Sequence, residues 1–338
     1  MMKIKNKIKA TTTIIFFLSA ICLWTGMRLW AQPGSPSPSP DPSLTKPKQQ
    51  ISYLKEGALW LMKEDGTENR QIVPAPEESS VANQIWAKDG KRIYFNIGLN
   101  VYAYVLQEQK VETLGAVQLP EGISIDRVEL GNDNKTLLFQ TIDSSDVMSS
   151  VSRVYALSVT TPETRELSVD EYHALAPAQS TIVRNAGELS VSPDGRFVLF
   201  AEANEKDIQL FISDIETGNR HQITDLSSIS DFEPAAMSDG GRRIIEATWS
   251  PDGHHVVFVP AQSCSEGGLC AGKMYLVDTW GGAQLQLALE MTANLAQEWN
   301  HEKNLLVYDD GGKILISDPL GQVKQLAEGN LPKWQPAV

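Results

Sequence analysis

The sequence predicts an all-β fold for residues 50–338, a six-bladed β-propeller of four-stranded antiparallel blades, and two recurrences carry that prediction. A ten-residue frame returns along the chain as Trp249-Ser250-Pro251-Asp252-Gly253-His254-His255-Val256-Val257-Phe258, as Val191 to Phe200 and as Trp86 to Phe95. A second unit, an apolar triplet leading into a turn and another short strand, follows each copy, as in Leu210-Phe211-Ile212 with Asp214 and Gly218 or Tyr275-Leu276-Val277 with Asp278 and Gly281. Four short strands repeated every 40 to 60 residues or so, with no helical periodicity between them, are what propeller blades look like in sequence.

The chain opens with Lys3, Lys5, Lys7 and Lys9, followed by an uncharged run from Ala10 to Met27. That pattern is an export signal, and its length suits both a cleaved signal peptide and a retained N-terminal anchor over residues 1–31. In either case the lysines stay cytoplasmic and the body faces outward, so the expected location is extracytoplasmic, periplasmic or at the cell surface, with the membrane touched only through this segment. Residues 32–49 form a Pro/Ser-rich linker. Pro33, Pro36, Pro38, Pro40 and Pro42 alternate with small polar residues that cannot build a core and favour an extended polyproline conformation.

The formal net charge is −13; residues 1–31 hold five cations and no acid, which leaves −18 on the rest. An acidic body without a basic stripe excludes nucleic acid as a partner, because phosphate binding needs clustered Lys and Arg.

From Gln50 onward each copy of the frame reads as a hairpin, with Pro fixing φ on entry and Gly or Asn accepting the positive φ at the turn. The turn residues are Asp89 and Gly90, Asp194 and Gly195, and Asp252 and Gly253. A worn copy runs from Leu130 through Asp133 and Asn134 to Phe139; a fifth, Trp299 to Tyr308, keeps only its hydrophobic ends. Anchors at Trp86, Leu130, Val191, Trp249 and Trp299 mark five internal blades. Ile51-Ser52-Tyr53-Leu54 begins where a second strand would begin, and Leu331 to Pro336 reads as a first strand with none after it. The two ends therefore complete one shared blade, pairing the C-terminal strand with the N-terminal strands and removing exposed sheet edges.

Apolar-Ser-Pro-Asp-Gly with an aromatic five residues after the glycine, at Ser192 to Phe200 and Ser250 to Phe258, resembles the six-bladed propeller of the TolB family and the related propeller domains of prolyl oligopeptidases and dipeptidyl peptidases. The resemblance covers the propeller alone, the place of the TolB N-terminal domain being taken here by the Pro/Ser segment. It implies contacts with envelope-associated proteins.

No Gly-x-Ser-x-Gly elbow occurs in the chain, so the peptidase chemistry of the related enzymes is not expected. The five histidines make no His-x-x-x-His or His-Glu-x-x-His pair, and neither a metal nor another cofactor is expected. Cys264 and Cys270 flank a short loop; in an exported protein their closeness argues for a disulfide. The candidate site lies on the first strand of each blade, where the positions one and three before each anchor supply Arg127, Glu129, Glu188, Glu246, Glu298 and Lys333. Brought toward one axial funnel, these would bind a ligand or a partner. The reading that results is a non-catalytic, monomeric propeller that binds a protein or envelope component. Its alternative is binding or processing of a small ligand or glycan at the acidic funnel, where a retaining glycosidase would need two carboxylates about 5 Å apart.

Overall fold

The structure is a computed structural model that describes residues 48–143, 153–161, 163–175, 189–204, 207–229, 243–263, 269–271, 273–287 and 297–336. The first blade holds β1 (Gln50–Lys55), β2 (Ala58–Lys63) and β3 (Arg70–Val73), and the second β4 (Val81–Trp86), β5 (Arg92–Ile97), β6 (Asn100–Val105) and β7 (Lys110–Ala116). The third is β8 (Ile123–Leu130), β9 (Thr136–Asp143), β10 (Val154–Ser158) and β11 (Thr164–Glu166), followed by the helix α1 (Val169–Leu175). The fourth is β12 (Leu189–Val191), β13 (Phe197–Asn204), β14 (Asp207–Asp214) and β15 (Arg220–Gln222). The fifth is β16 (Arg243–Trp249), β17 (His255–Ser263), β18 (Leu269–Ala271), β19 (Tyr275–Asp278) and β20 (Leu285–Gln286), with β18 an extra strand on β17. The sixth is β21 (Gln297–Asn300), β22 (Leu305–Asp310), β23 (Lys313–Ser317) and β24 (Val323–Glu328), after which β25 (Asn330–Trp334) returns to pair antiparallel with β1, Ile51 opposite Trp334 and Ser52 opposite Lys333. The C-terminal strand is thus the inner strand of the first blade, and six antiparallel sheets make the propeller.

The hairpin frame sets the turns by hydrogen bonding. Ser250 Oγ donates to Asp252 Oδ1 (2.6 Å) and accepts from His255 N (2.9 Å), while Asp252 Oδ1 also accepts from His254 N (3.0 Å). Ser192, Asp194, Arg196 and Phe197 repeat that set at 2.6, 2.8 and 3.1 Å. Gly90, Gly195 and Gly253 have φ of 63°, 74° and 71°, the left-handed region that favours glycine. The sixth-blade copy keeps more than its hydrophobic ends. Asn300 Oδ1 accepts from Glu302 N and Lys303 N (both 3.0 Å), and Asn304 takes the left-handed position at φ 53°. Asn substitutes because its side chain can accept turn N–H groups and its backbone tolerates αL.

The core is divided among the seams between blades. Leu199, Leu210 and Ile212 of the fourth blade pack with Trp249, Val256 and Phe258 of the fifth; Val257, Val259 and Leu276 of the fifth pack with Trp299, Leu306 and Tyr308 of the sixth. Ile51, Tyr53 and Met62 pack with Val307, Ile314 and Trp334 at the closure. Neighbouring residues such as Val256 and Val257 therefore serve opposite seams, which is why these strands read as continuous apolar runs rather than alternating ones.

A helix was not expected from the sequence, yet α1 packs on the third blade through Tyr172 and Leu175, against Leu138, Ala156 and Leu167. Its start is a capping box: Ser168 N donates to Glu171 Oε2 (2.9 Å) and Glu171 N to Ser168 Oγ (3.3 Å). Ser168-x-x-Glu171 was the signal for it in the sequence. Among the described residues no helix is long and apolar enough to cross a membrane; the N-terminal segment lies outside them.

Removing residues 330–338 deletes an inner strand together with Trp334, which is 4% exposed; loss of a buried Trp alone costs about 3–5 kcal/mol. Thermal unfolding followed by circular dichroism is expected to lose its cooperative transition in this truncation. Ser250→Ala, which removes the hydroxyl bridging Asp252 and His255, is expected to lower stability in urea by about 1 kcal/mol.

Candidate functional site along the inner strands

Of the six candidate residues, Arg127 and Glu129 lie on β8, Glu246 on β16, Glu298 on β21 and Lys333 on β25, each the inner strand of its blade. Because each sheet packs its faces on its neighbours, a side chain on an inner strand enters one of two seams. Glu298, one before its anchor Trp299, reaches forward to the first blade, where its Oε2 accepts from Trp334 N (2.7 Å). Glu246, three before Trp249, reaches forward to the sixth, its Oε1 accepting from Gln297 Nε2 (3.2 Å). Gln84, two before Trp86, reaches backward instead, its Nε2 donating to the Leu331 carbonyl at 2.6 Å.

Burial pushes the Glu298 carboxyl up from its ordinary range, opposed by the Lys333 charge, the Trp334 N–H and the His301 charge. Glu298 and Lys333 are thus electrostatic partners at the closing seam. Glu129 lies beside α1: its Oε2 accepts from the Tyr172 hydroxyl (3.4 Å), and Gln140 Nε2 donates to Tyr172 at 2.9 Å. Burial and the Glu129 carboxylate raise the Tyr172 phenol, while Gln140 and the Arg127 charge lower it. Glu246 is 7% exposed. Three groups result: Glu298 with Lys333 at the closure, Glu246 with Gln297 between the fifth and sixth blades, and Arg127 with Glu129 around Tyr172. Glu188 and Cys264 fall outside the described residues, and Cys270 is described only as part of β18, opposite Gln262. Among the described residues, no group of three or more His, Cys, Asp or Glu is arranged to hold a metal.

Two features escaped the sequence reading. The anchor tryptophans latch each blade to the one before it. Trp86 Nε1 donates to the Lys333 carbonyl (3.2 Å), Trp249 Nε1 to the Ser190 carbonyl (3.2 Å) and Trp334 Nε1 to the Glu298 carbonyl (3.0 Å), each acceptor one residue before the anchor of its blade. Trp299 is the exception, its Nε1 buried without a partner among the described residues. The recurrence of Trp at 86, 249, 299 and 334 was legible, but its polar role was not. The second feature is Asp309, 5% exposed, whose Oδ2 accepts from Leu331 N (3.0 Å) on the closing strand. Burial pushes its carboxyl up to about 6, the Leu331 N–H holding it down and Asp310 adding to the rise.

Solved structures that resemble this architecture include TolB from Acinetobacter baumannii, at 16% identity over 86% of this chain and 67% of that one, TM-score 0.46. A nidogen/laminin complex is similar at 10% identity over 85% and 98% of the two chains, TM-score 0.44. An oligogalacturonate lyase in complex with manganese matches at 14% identity over 80% and 70%, TM-score 0.35. No family model and no curated protein matches the chain.

Asp309 generates a pH prediction. Its folded pKa, about 6, lies above the ordinary 3.8, so the folded state holds the proton more tightly than the unfolded chain does. Stability from this group is complete below about pH 4 and lost as pH rises through about 6, a difference of about 3 kcal/mol. Asp309→Asn is expected to raise stability at neutral pH and to flatten the dependence on pH between those limits, measured by urea unfolding. The latches give a paired test. Trp249→Phe removes a made hydrogen bond, whereas Trp299→Phe removes a buried donor that lacks a partner, so the first is expected to cost about 1–2 kcal/mol more than the second.

Proposed function

We propose that this chain is an exported, non-catalytic β-propeller that binds a protein or another envelope component. The observation that carries the reading is the use made of the inner-strand carboxylates. Glu298 accepts from the backbone of the closing strand, and Glu246 accepts from a Gln of the neighbouring blade. Carboxylates engaged in joining blades serve as structural acceptors, and a pair of freely facing acids, as glycoside hydrolysis requires, is not what these contacts describe. The lysine-led apolar segment at residues 1–31 supports export.

The test is formaldehyde cross-linking of the full chain in its native cells, comparing the wild type with Glu246→Gln and Glu298→Gln. The expected result is a discrete adduct of unchanged mass and yield in both variants. Turnover of a glycan or peptide by the purified protein, abolished by either substitution in a variant that still melts cooperatively, would reverse the assignment.

A further inference from the structure

Within an antiparallel four-stranded blade, the turn between the first and second strands and the turn between the third and fourth lie at the same end. Backbone hydrogen bonds join them here: Ile215 N donates to the Arg196 carbonyl (2.9 Å) and Thr279 N to the His254 carbonyl (2.9 Å). Adjacent blades meet at this same end, since Asn304 Nδ2 donates to Asp252 Oδ2 (2.5 Å) and a Cβ on Gly281 would lie 3.4 Å from the Gln222 carbonyl. All these turns therefore share one face of the propeller.

On the fourth, fifth and sixth blades that face presents large apolar side chains to water at one repeated place, the turn after the third strand. Ile215 is 55% exposed, Trp280 71% and Leu320 76%. Trp280 is held in position rather than loose. Its N–H donates to Asp278 Oδ1 (2.7 Å), its ring stacks on His221 (5.8 Å between centroids, 6° between planes), and Phe197 meets it edge-on at 6.3 Å. Leu285, 42% exposed, packs over Gly321 beside Leu320 and carries the apolar surface from the fifth blade to the sixth. Rigid, exposed Trp is a residue type on which binding energy concentrates.

At these turns carboxylates outnumber cations. Asp194, Asp214, Asp252, Asp278 and Asp318 stand at the same turns, each accepting a backbone N–H group. The turn cations are already engaged, Arg196 with Asp214 and Lys303 with Glu64. Just inside the following strands, Arg220 pairs with Glu202 and Lys324 donates to the Asp65 carbonyl. Apolar protrusions among carboxylates complement a surface in which apolar side chains alternate with free cations.

Resting on the scaffold reading above, we infer that the turn-bearing face of the fourth to sixth blades, centred on Trp280 and Leu320, docks a basic amphipathic segment of a protein partner. The probe is a fluorescent synthetic peptide of Lys and Leu in amphipathic order, with a counterpart carrying Glu for Lys, titrated with the full chain and followed by anisotropy. The Lys peptide is expected to bind and the Glu peptide not to. Raising salt from about 50 to about 300 mM is expected to weaken binding about tenfold, as screening requires. Trp280→Ala and Leu320→Ala, both surface changes, are expected to weaken it about fivefold or more each, and Leu99→Ala, on the opposite face, to leave it unchanged. Equal binding of the two peptides, no binding of the Lys peptide, or binding indifferent to Trp280→Ala with Leu320→Ala overturns the inference. A photoreactive residue placed at 280 or at 99 in the full chain, in native cells, separates the two levels of the argument. A protein adduct from 280 supports the docking face; one from 99 alone overturns it and leaves the scaffold reading standing; none from either position overturns both.

Discussion

The structure depends on a seam that the chain closes with its last strand. β25 is the inner strand of a blade whose other strands lie at the start of the propeller, so Ile51 meets Trp334 only after the intervening five blades have been placed. Without it, β1 would present an unpaired edge, and the apolar face of the sixth blade, Val307 and Ile314, would lose Trp334 from the cover that it forms with Ile51 and Tyr53 of β1. Pairing between segments so far apart in sequence makes the cost of loop closure large before any contact returns it, which places closure late in folding.

Two carboxylates of the sixth blade, buried Asp309 and half-buried Glu298, hold that strand. Leu331 has φ of 53° where the ladder with β1 shifts register, and its N–H is taken by Asp309; three residues later the Trp334 N–H is taken by Glu298. Buried acids usually cost stability unless well satisfied. Here the cost is offset by satisfying backbone donors on the closing strand, donors that would otherwise be buried without partners. Asp309, raised toward neutrality, and Glu298, raised by burial against the pull of Lys333, show the balance between the two effects directly.

The fold was legible because its requirements are local and repeated. An acceptor at the turn, a residue tolerant of positive φ and two flanking apolar runs recur often enough for their period to appear even where a copy is worn, and the split of one blade between the termini follows from counting strands. The direction of the inner-strand side chains was less legible. Alternation along a strand shows which residues share a side, but what that side faces depends on the blades packed against it, and the contacts of Glu298, Glu246 and Gln84 lie within seams. The polar role of the anchor tryptophans was hidden for a related reason: their acceptors are backbone carbonyls of another blade, to which sequence assigns no identity. The helix after the third blade was missed although Ser168 and Glu171 announced it, because seven residues are too few for a helical period to stand out.

The degraded copies show where the repeat leaves freedom to vary. In the second blade Ala87 replaces the turn serine, yet Asp89 Oδ1 still accepts from Lys91 N and Gly90 N still donates to the Ala87 carbonyl. In the third, Asp133 accepts from both Lys135 N and Thr136 N, and Asn134 supplies φ of 56°. What every copy preserves is an acceptor and a left-handed residue, because without them the chain cannot reverse between two buried strands. The residues between those two requirements are free of the fold. They can therefore differ from blade to blade without loss of the ring, and among the described residues the most exposed large apolar side chains, Ile215, Trp280 and Leu320, stand at turn positions.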